Sequence, residues 1–265
     1  MNINTKYQLL KEKILKLENV VVAFSGGIDS TFLAWAGNEF LGENSLAVTI
    51  KSPLFPEMEL NDAISLAKRF GFSHHIIDVG EQHPNAIFYN PPERCFICKR
   101  FLFRRVISFA GEHNVDAVLE GSNKDDEHEY RPGKKALREL GIISPLQEAG
   151  FTKQEIRELS RDFGLPNWNK PAFTCLATRL PYGSGLDTEK LSRLNEAEML
   201  LKSMGFSQFR VRWHGDMARI EIDPKELSEI CKEPNRTKIN NHFKNMGFKF
   251  VTVDLQGYRT GSMDD

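Results

Sequence analysis

Ser25-Gly26-Gly27-Ile28-Asp29-Ser30 follows the apolar run Val20-Val21-Val22-Ala23-Phe24 and precedes Thr31-Phe32-Leu33-Ala34-Trp35. The order reads as a buried strand, a glycine turn and the start of a helix. Two adjacent glycines let the backbone approach an anion closely, and the next helix turns its free N–H groups toward it. Ser25 and Ser30 can donate hydroxyl hydrogen bonds to phosphate, and Asp29 can hold a magnesium ion beside it. The Gly-Lys-Ser/Thr ending of a Walker loop is missing, and so is the GxGxxG spacing. The plain alternative is an ordinary glycine turn between strand and helix.

A second chemistry lies in the thiols. Cys95 and Cys98 stand at CxxC spacing in Pro91-Pro92-Glu93-Arg94-Cys95-Phe96-Ile97-Cys98-Lys99, and Cys175 lies far downstream in Phe173-Thr174-Cys175-Leu176-Ala177-Thr178-Arg179. A lone CxxC is a redox pair, half a zinc site, part of an iron–sulfur site, or two small core residues. Zinc wants a fourth ligand; His128 and Cys231 are available, without matching spacing. Three thiolates suit a 4Fe-4S cluster with one iron open to an external hydrosulfide. Cys231, in the helix-like Leu227-Ser228-Glu229-Ile230-Cys231, reads as a packed thiol.

The elements that must position these groups alternate. A helix over 7–17, a strand over 20–24 and the glycine loop are followed by a strand over 45–50, a helix over 56–70 and a strand over 74–79. A helix over 100–113, a strand over 116–120 and a helix over 153–163 complete the series. Such alternation predicts an α/β, doubly wound parallel sheet with ligands beyond the carboxyl ends of its strands. The segment 166–187, rich in proline and weak in periodicity, reads as a connecting loop that carries Cys175. After it come a helix over 188–204, a hairpin of strands over 209–213 and 218–222, two short helices and a strand over 248–253. The expected organisation is therefore a nucleotide domain over 1–165, the loop, and a small α+β domain over 188–265.

The 265 residues suffice for one core with a small second domain. Thirty-five Lys and Arg against 36 Asp and Glu give a net charge of −1, so no global charge advertises nucleic acid. No apolar run approaches the ~20 residues of a membrane span, and the N-terminus lacks an apolar signal core. The expected location is the cytoplasm, where cysteines serve metal binding or catalysis before disulfides.

The hexapeptide resembles the PP-loop of ATP pyrophosphatases, which cleave ATP to AMP and pyrophosphate while activating a carbonyl or carboxylate. Further motifs match one family in order: Asn90-Pro91-Pro92-Glu93-Arg94-Cys95, Gly121-Ser122-Asn123-Lys124-Asp125-Asp126, Tyr130-Arg131-Pro132-Gly133 and Ser144-Pro145-Leu146. They continue with Cys175 through Gly183, Arg210-Val211-Arg212 through Glu221, and Gly257-Tyr258-Arg259-Thr260-Gly261-Ser262. The chain thus resembles, over essentially its whole length, the LarE family of ATP-dependent sulfur transferases in nickel-pincer nucleotide synthesis. The resemblance implies adenylation of a carboxylate of pyridinium-3,5-biscarboxylic acid mononucleotide, then displacement of AMP by sulfur to give a thiocarboxylate. In one branch of the family a cysteine matching Cys175 surrenders its own sulfur and ends as dehydroalanine. In the other, three cysteines hold a 4Fe-4S cluster. Possession of Cys95, Cys98 and Cys175 places this chain with the cluster branch. A sulfide donor and self-association into a homo-oligomer are further expectations.

Other residues carry weaker signals. Asp125 and Asp126 follow a strand end, where nucleotide contacts or a magnesium ligand fall; an acidic pair in a loop is as often merely solvated. Arg179, near Cys175, can grip an AMP or substrate phosphate. Arg210 and Arg212 share one face of a strand and suit a substrate phosphate, or are plain strand arginines. Arg94 is a further candidate for phosphate. Glu198 and Glu221 could form an acidic cation site, although most carboxylates are solvated. Three other functions compete: a PP-loop enzyme thiolating tRNA, a zinc- or nucleotide-binding module without catalysis, and an amidating ligase.

Overall fold

The structure, a computed structural model, describes every residue except 129–131, 172, 260 and 264–265, and the backbone but not the side chain of His128. The chain divides into two compact units. The first comprises Met1–Ser52, Met58–Pro84 and Glu93–Phe173, and the second Pro53–Glu57, Asn85–Pro92 and Thr174–Asp265. The segment 166–187 is shared between them, its first part with unit one and Cys175 with unit two.

Unit one runs α1 (Ile3–Leu15), β1 (Val20–Ala23), α2 (Ile28–Leu41), β2 (Ser45–Lys51), α3 (Glu57–Phe70), β3 (Ser73–Asp78), α4 (Arg94–Glu112), β4 (Val118–Leu119), α5 (Gly133–Glu139), α6 (Pro145–Glu148) and α7 (Lys153–Asp162). Its strands pair in parallel in the order β3-β2-β1-β4. The apolar run of β1 explains its central place. Val20 and Val22 join a core with Leu10, Ile14, Phe32, Phe151 and Ile156, whereas Val21 joins Val48, Val106, Phe109 and Val118. A strand buried on both faces needs apolar residues at consecutive positions, as a parallel sheet between helix layers requires. From β1 the chain moves outward to β2 and β3, then returns to the other side of β1 as β4. That reversal leaves a crevice at the carboxyl ends of β1 and β4.

Two departures from the sequence expectation bear on the site. The helix expected from residue 100 begins at Arg94, so the CxxC pair lies in its opening turns. Pro91-Pro92 blocks the helix upstream, and nothing from Arg94 onward breaks it. The strand expected over 116–120 shrinks to Val118–Leu119, and a parallel bridge from Leu119 to Ile143 extends the sheet beyond it. The short α5 and α6 had no periodic signal.

Unit two contains α8 (Thr188–Ser203), β5 (Phe209–His214), β6 (Met217–Ile222), α9 (Leu227–Ile230), α10 (Asn235–Asn245) and β7 (Phe250–Val253). β5 and β6 form the expected antiparallel hairpin, and β7 adds in parallel to β6. α8 is N-capped by the Asp187 side chain, which accepts from the Lys190 N–H. Among the described residues no helix is long and apolar enough to cross a membrane.

Candidate active site

The glycine loop of unit one forms an anion cradle. Gly26 has φ +72°, and a Cβ there would stand 3.0–3.2 Å from the backbone and Cβ of Ala63 on α3. Only glycine meets both demands. Gly27 is the N-cap of α2, and its carbonyl accepts the first helical bond from Thr31 N–H at 2.9 Å. The N–H groups of the opening turn therefore face outward, where a phosphate is favoured. Ser30 Oγ donates to the Gly27 carbonyl at 3.0 Å and lies 3.0 Å from Ser25 Oγ; Ser25 is exposed and Ser30 buried.

The loop after β4 closes against this turn. A Cβ on Gly121 would lie 3.0 Å from Ser30 N and 3.1 Å from the Asp29 carbonyl carbon, so the close approach requires glycine. Buried Glu120 organises the loop by accepting from Ser122 N–H and Oγ and from Ser144 Oγ. This gives the Gly-Ser-Asn and Ser-Pro-Leu motifs a physical reason to occur together. Asp126 accepts from Asn123 N–H at 2.9 Å, and Asp125 accepts from the first amide of α7, Lys153 N–H, at 2.8 Å. Both acids fasten the loop beside Asp29.

Asp29 is the chemical centre of the cradle. Its carboxylate accepts from Asn123 Nδ2 at 3.4 Å and is ion-paired with the Lys153 ammonium. Burial lifts its pKa above the ordinary carboxylate value; the Lys153 charge opposes this, and neighbouring Asp126 adds to it. A half-buried carboxylate beside a second acid could hold a cation. Sequence reading missed Lys153, Asn167 and Lys170 here, because single Lys and Asn residues in unlike segments carry no spacing signal; Asn123 entered only as part of a motif, without a role. Asn167 and Lys170 donate to the Gly26 carbonyl at 3.2 and 3.3 Å.

Cys95 and Cys98 belong to unit one and Cys175 to unit two, and none of them is in a disulfide. Cys95 is exposed and Cys98 half-buried in the opening turns of α4; Arg94 beside them is buried. Among the described residues no group of three or more His, Cys, Asp or Glu side chains is placed to hold a metal ion. Tyr130, Arg131 and Thr260 of the family motifs lie outside the described residues, as does the His128 side chain. Cys231 differs from its expectation: it follows the last turn of α9 and is exposed.

In unit two Cys175 caps a short 3-10 turn, its Sγ accepting from Ala177 N–H at 3.4 Å. Arg179 fastens this turn. Its Nε and Nη2 donate to the two oxygens of Glu198 at 2.7 and 2.9 Å, and Nη1 donates to Thr174 Oγ1, Thr178 Oγ1 and the Cys175 carbonyl. The guanidinium and Glu198 are both 0% exposed, and every donor-bearing nitrogen is engaged within the unit. Here Arg179 positions the Cys175 turn. Arg212 makes a parallel support, donating to Glu221 through Nε and Nη2 and to the Thr178 carbonyl through Nη1 at 3.0 Å. Glu198 and Glu221 thus serve arginines. Asn90, buried with φ +48°, donates to the carbonyls of Leu180 and Pro181 and closes the turn from the other side. Arg210 faces the Tyr258 ring at 4.9 Å; burial, then the Arg179 charge, pull its pKa down to about 10. Arg210 and Arg212 do share a face, as expected, but it is an interior one.

The chain is similar in sequence to several known proteins. A family model for NAD synthase matches residues 3–89, the span of the glycine loop and its flanking strands. The chain is 38% identical to pyridinium-3,5-bisthiocarboxylic acid mononucleotide synthase of Lactiplantibacillus plantarum, over 98% of this chain and 94% of that one. It is 37% identical to an uncharacterised protein of Synechocystis over 99% of this chain and 98% of the other. A GMP synthase of Aeropyrum pernix is 26% identical over 57% of this chain and 33% of its own. Likeness that runs through both units, and not the nucleotide unit alone, decides among the PP-loop enzymes: the chain belongs to the LarE family of ATP-dependent sulfur transferases.

Proposed function

We propose that this enzyme uses ATP to adenylate a carboxylate of pyridinium-3,5-biscarboxylic acid mononucleotide and then replaces AMP by sulfur, in nickel-pincer nucleotide synthesis. The observation that carries the reading is the cradle of Gly26, Gly27, Ser25 and Ser30 around Asp29, at the carboxyl end of β1. The Gly27 and α2 N–H groups and the two serine hydroxyls would hold the leaving pyrophosphate. Asp29 would hold magnesium, which when bound neutralises charge building on the phosphates. Lys153, released from Asp29, would then turn its ammonium to the same oxygens. A substrate carboxylate oxygen attacks the α-phosphorus, the bond to the β-phosphate oxygen breaks, and pyrophosphate leaves. The sulfur nucleophile next attacks the acyl carbon, and AMP departs with the oxygen that had linked it.

Cys95, Cys98 and Cys175 would hold a 4Fe-4S cluster. Three thiols outside any disulfide are the kind of donor such a cluster takes, and a bound cluster would supply sulfide at its open iron. The Arg179–Glu198 and Arg212–Glu221 pairs keep the Cys175 turn in place. Substrate-dependent pyrophosphate release, with mass-spectrometric detection of the thiocarboxylate, tests the function. Pyrophosphate release dependent on tRNA instead would overturn it. Iron and acid-labile sulfide content after anaerobic purification tests the cluster. Absence of both, with Cys175 converted to dehydroalanine, would make Cys175 the sacrificial donor.

A further inference from the structure

The segment that follows α7 does more than join the two units in sequence. Pro166-Asn167-Trp168-Asn169-Lys170-Pro171 is bracketed by prolines; Asn167 is buried and Lys170 half-buried, whereas Trp168 and Asn169 are exposed. Asn167 Nδ2 donates to the Gly26 carbonyl at 3.2 Å and to Thr31 Oγ1 at 2.9 Å, while Thr31 Oγ1 donates to the Gly27 carbonyl at 2.8 Å. Among the described residues the buried Asn167 Oδ1 has no hydrogen-bond partner, and the two acceptors on Nδ2 set which way the amide points. Lys170 Nζ donates to the same Gly26 carbonyl at 3.3 Å. Glu59 and Asp62 on α3 hold that ammonium at 2.7 and 2.8 Å. Arg157, one turn after Lys153 on α7, donates to the Trp168 and Lys170 carbonyls and secures the segment from outside.

We infer that Asn167 and Lys170 are positioning residues that lock the Gly26–Gly27 peptide so that its N–H, and not its carbonyl, faces the phosphates. The peptide group is planar and trans, so its C=O and N–H point in opposite directions. Two donors on the Gly26 carbonyl therefore aim the Gly27 N–H toward the cradle, where Ser25 Oγ accepts it weakly at 3.4 Å. Between two glycines that peptide has little resistance of its own to turning over. Turned over, it would present a carbonyl oxygen to the phosphate oxygens and repel them. Lys170 acts through the backbone, because its charge is already matched by two carboxylates.

The inference rests on the reading of the loop as an ATP site, and binding of pyrophosphate and of AMP, each titrated with magnesium, separates the two. Wild-type chain should bind both. Asn167→Ala and Lys170→Met should each weaken pyrophosphate binding about tenfold, the size expected when a hydrogen bond involving a charged partner is lost. AMP binding should be unchanged, and Lys170→Arg should restore most of the pyrophosphate affinity. Should Lys170→Met fail to fold, Asn167→Ala carries the test. Unaltered pyrophosphate affinity in the variants would overturn the positioning role, and so would equal weakening of AMP and pyrophosphate. A wild-type chain that binds neither would overturn the ATP reading, and this inference with it.

Discussion

Both units bury charge, but they do so in opposite ways. In unit one the Asp29 carboxylate is only partly buried beside Asp126, its pKa lifted, with a single lysine in partial compensation. In unit two Glu221 is buried, yet its pKa is lowered. Burial alone would raise it, but hydrogen bonds from Arg212 and Ser262 and the charges of Arg212 and Arg219 outweigh that. The first arrangement is left short of positive charge, as a cation site is before its cation arrives. The second is complete without any ligand, and its product is a fixed Cys175 turn. The same residue types therefore mean binding in one unit and support in the other; the bonding around them tells which.

The largest expected effect breaks the support. Arg179→Ala leaves Glu198 buried without its partner and should lower stability by about 3–5 kcal/mol, measured by urea unfolding. Lysine should not rescue it, because it cannot reproduce the forked contact with both Glu198 oxygens. Loss of less than ~1 kcal/mol would show that the Cys175 turn does not depend on this pair.

Next comes the proposed cation site. Asp29→Asn should reduce pyrophosphate release about a hundredfold or more while leaving the melting temperature of the ligand-free chain unchanged or raised. A large fall in melting temperature would mean that the Lys153 pair is structural, and the contrast between the units would fail.

Gly26→Ala should be milder. It puts a side chain at positive φ against the Ala63 backbone, at about 1–2 kcal/mol of strain, and should weaken ATP binding in calorimetry. Unchanged stability and affinity would remove the close approach from the account.

The smallest effect concerns pH. Because the folded chain holds the Asp29 proton more tightly than the unfolded one, the Asp29 contribution to stability falls as pH rises from the ordinary carboxylate value through the lifted one. Glu221 has the opposite sign: its contribution is present above its unfolded pKa and is lost as pH falls through the lowered one. Unfolding curves of Asp29→Asn and Glu221→Gln against wild type across the acid range should therefore diverge in opposite directions. Parallel curves would erase the difference between the units.

Much of the fold was legible from local pattern. The run Val20-Val21-Val22 has the composition of a strand buried on both faces, and Gly26-Gly27 the composition of a turn that approaches an anion. The hairpin over 209–222 followed from two apolar-alternating strands around Gly215. Less legible were the short elements, because α6, at Pro145–Glu148, offers barely one turn of periodicity. The start of α4 was misplaced because the CxxC pair reads as loop chemistry, whereas its backbone is helical from Arg94. Cys231 was expected to pack because it closes the helix-like run from Leu227, yet one residue past that short helix it is exposed.

The sequence by itself determined the chemistry available: an anion-binding turn with a carboxylate after the first strand, three distinctive cysteines, and motifs that continue into the second unit. These depend on residue type and near spacing, which the linear chain carries directly. Only the tertiary structure decided what each charge does. Arg179 and Arg212 are supports because Glu198, on α8, and Glu221, on the facing strand of the hairpin, meet them in the interior. Lys153, Asn167 and Lys170 gain their places at the cradle because α7 and the segment after it return to the carboxyl end of β1. Pairing across such distances is set by packing, and no local pattern encodes it.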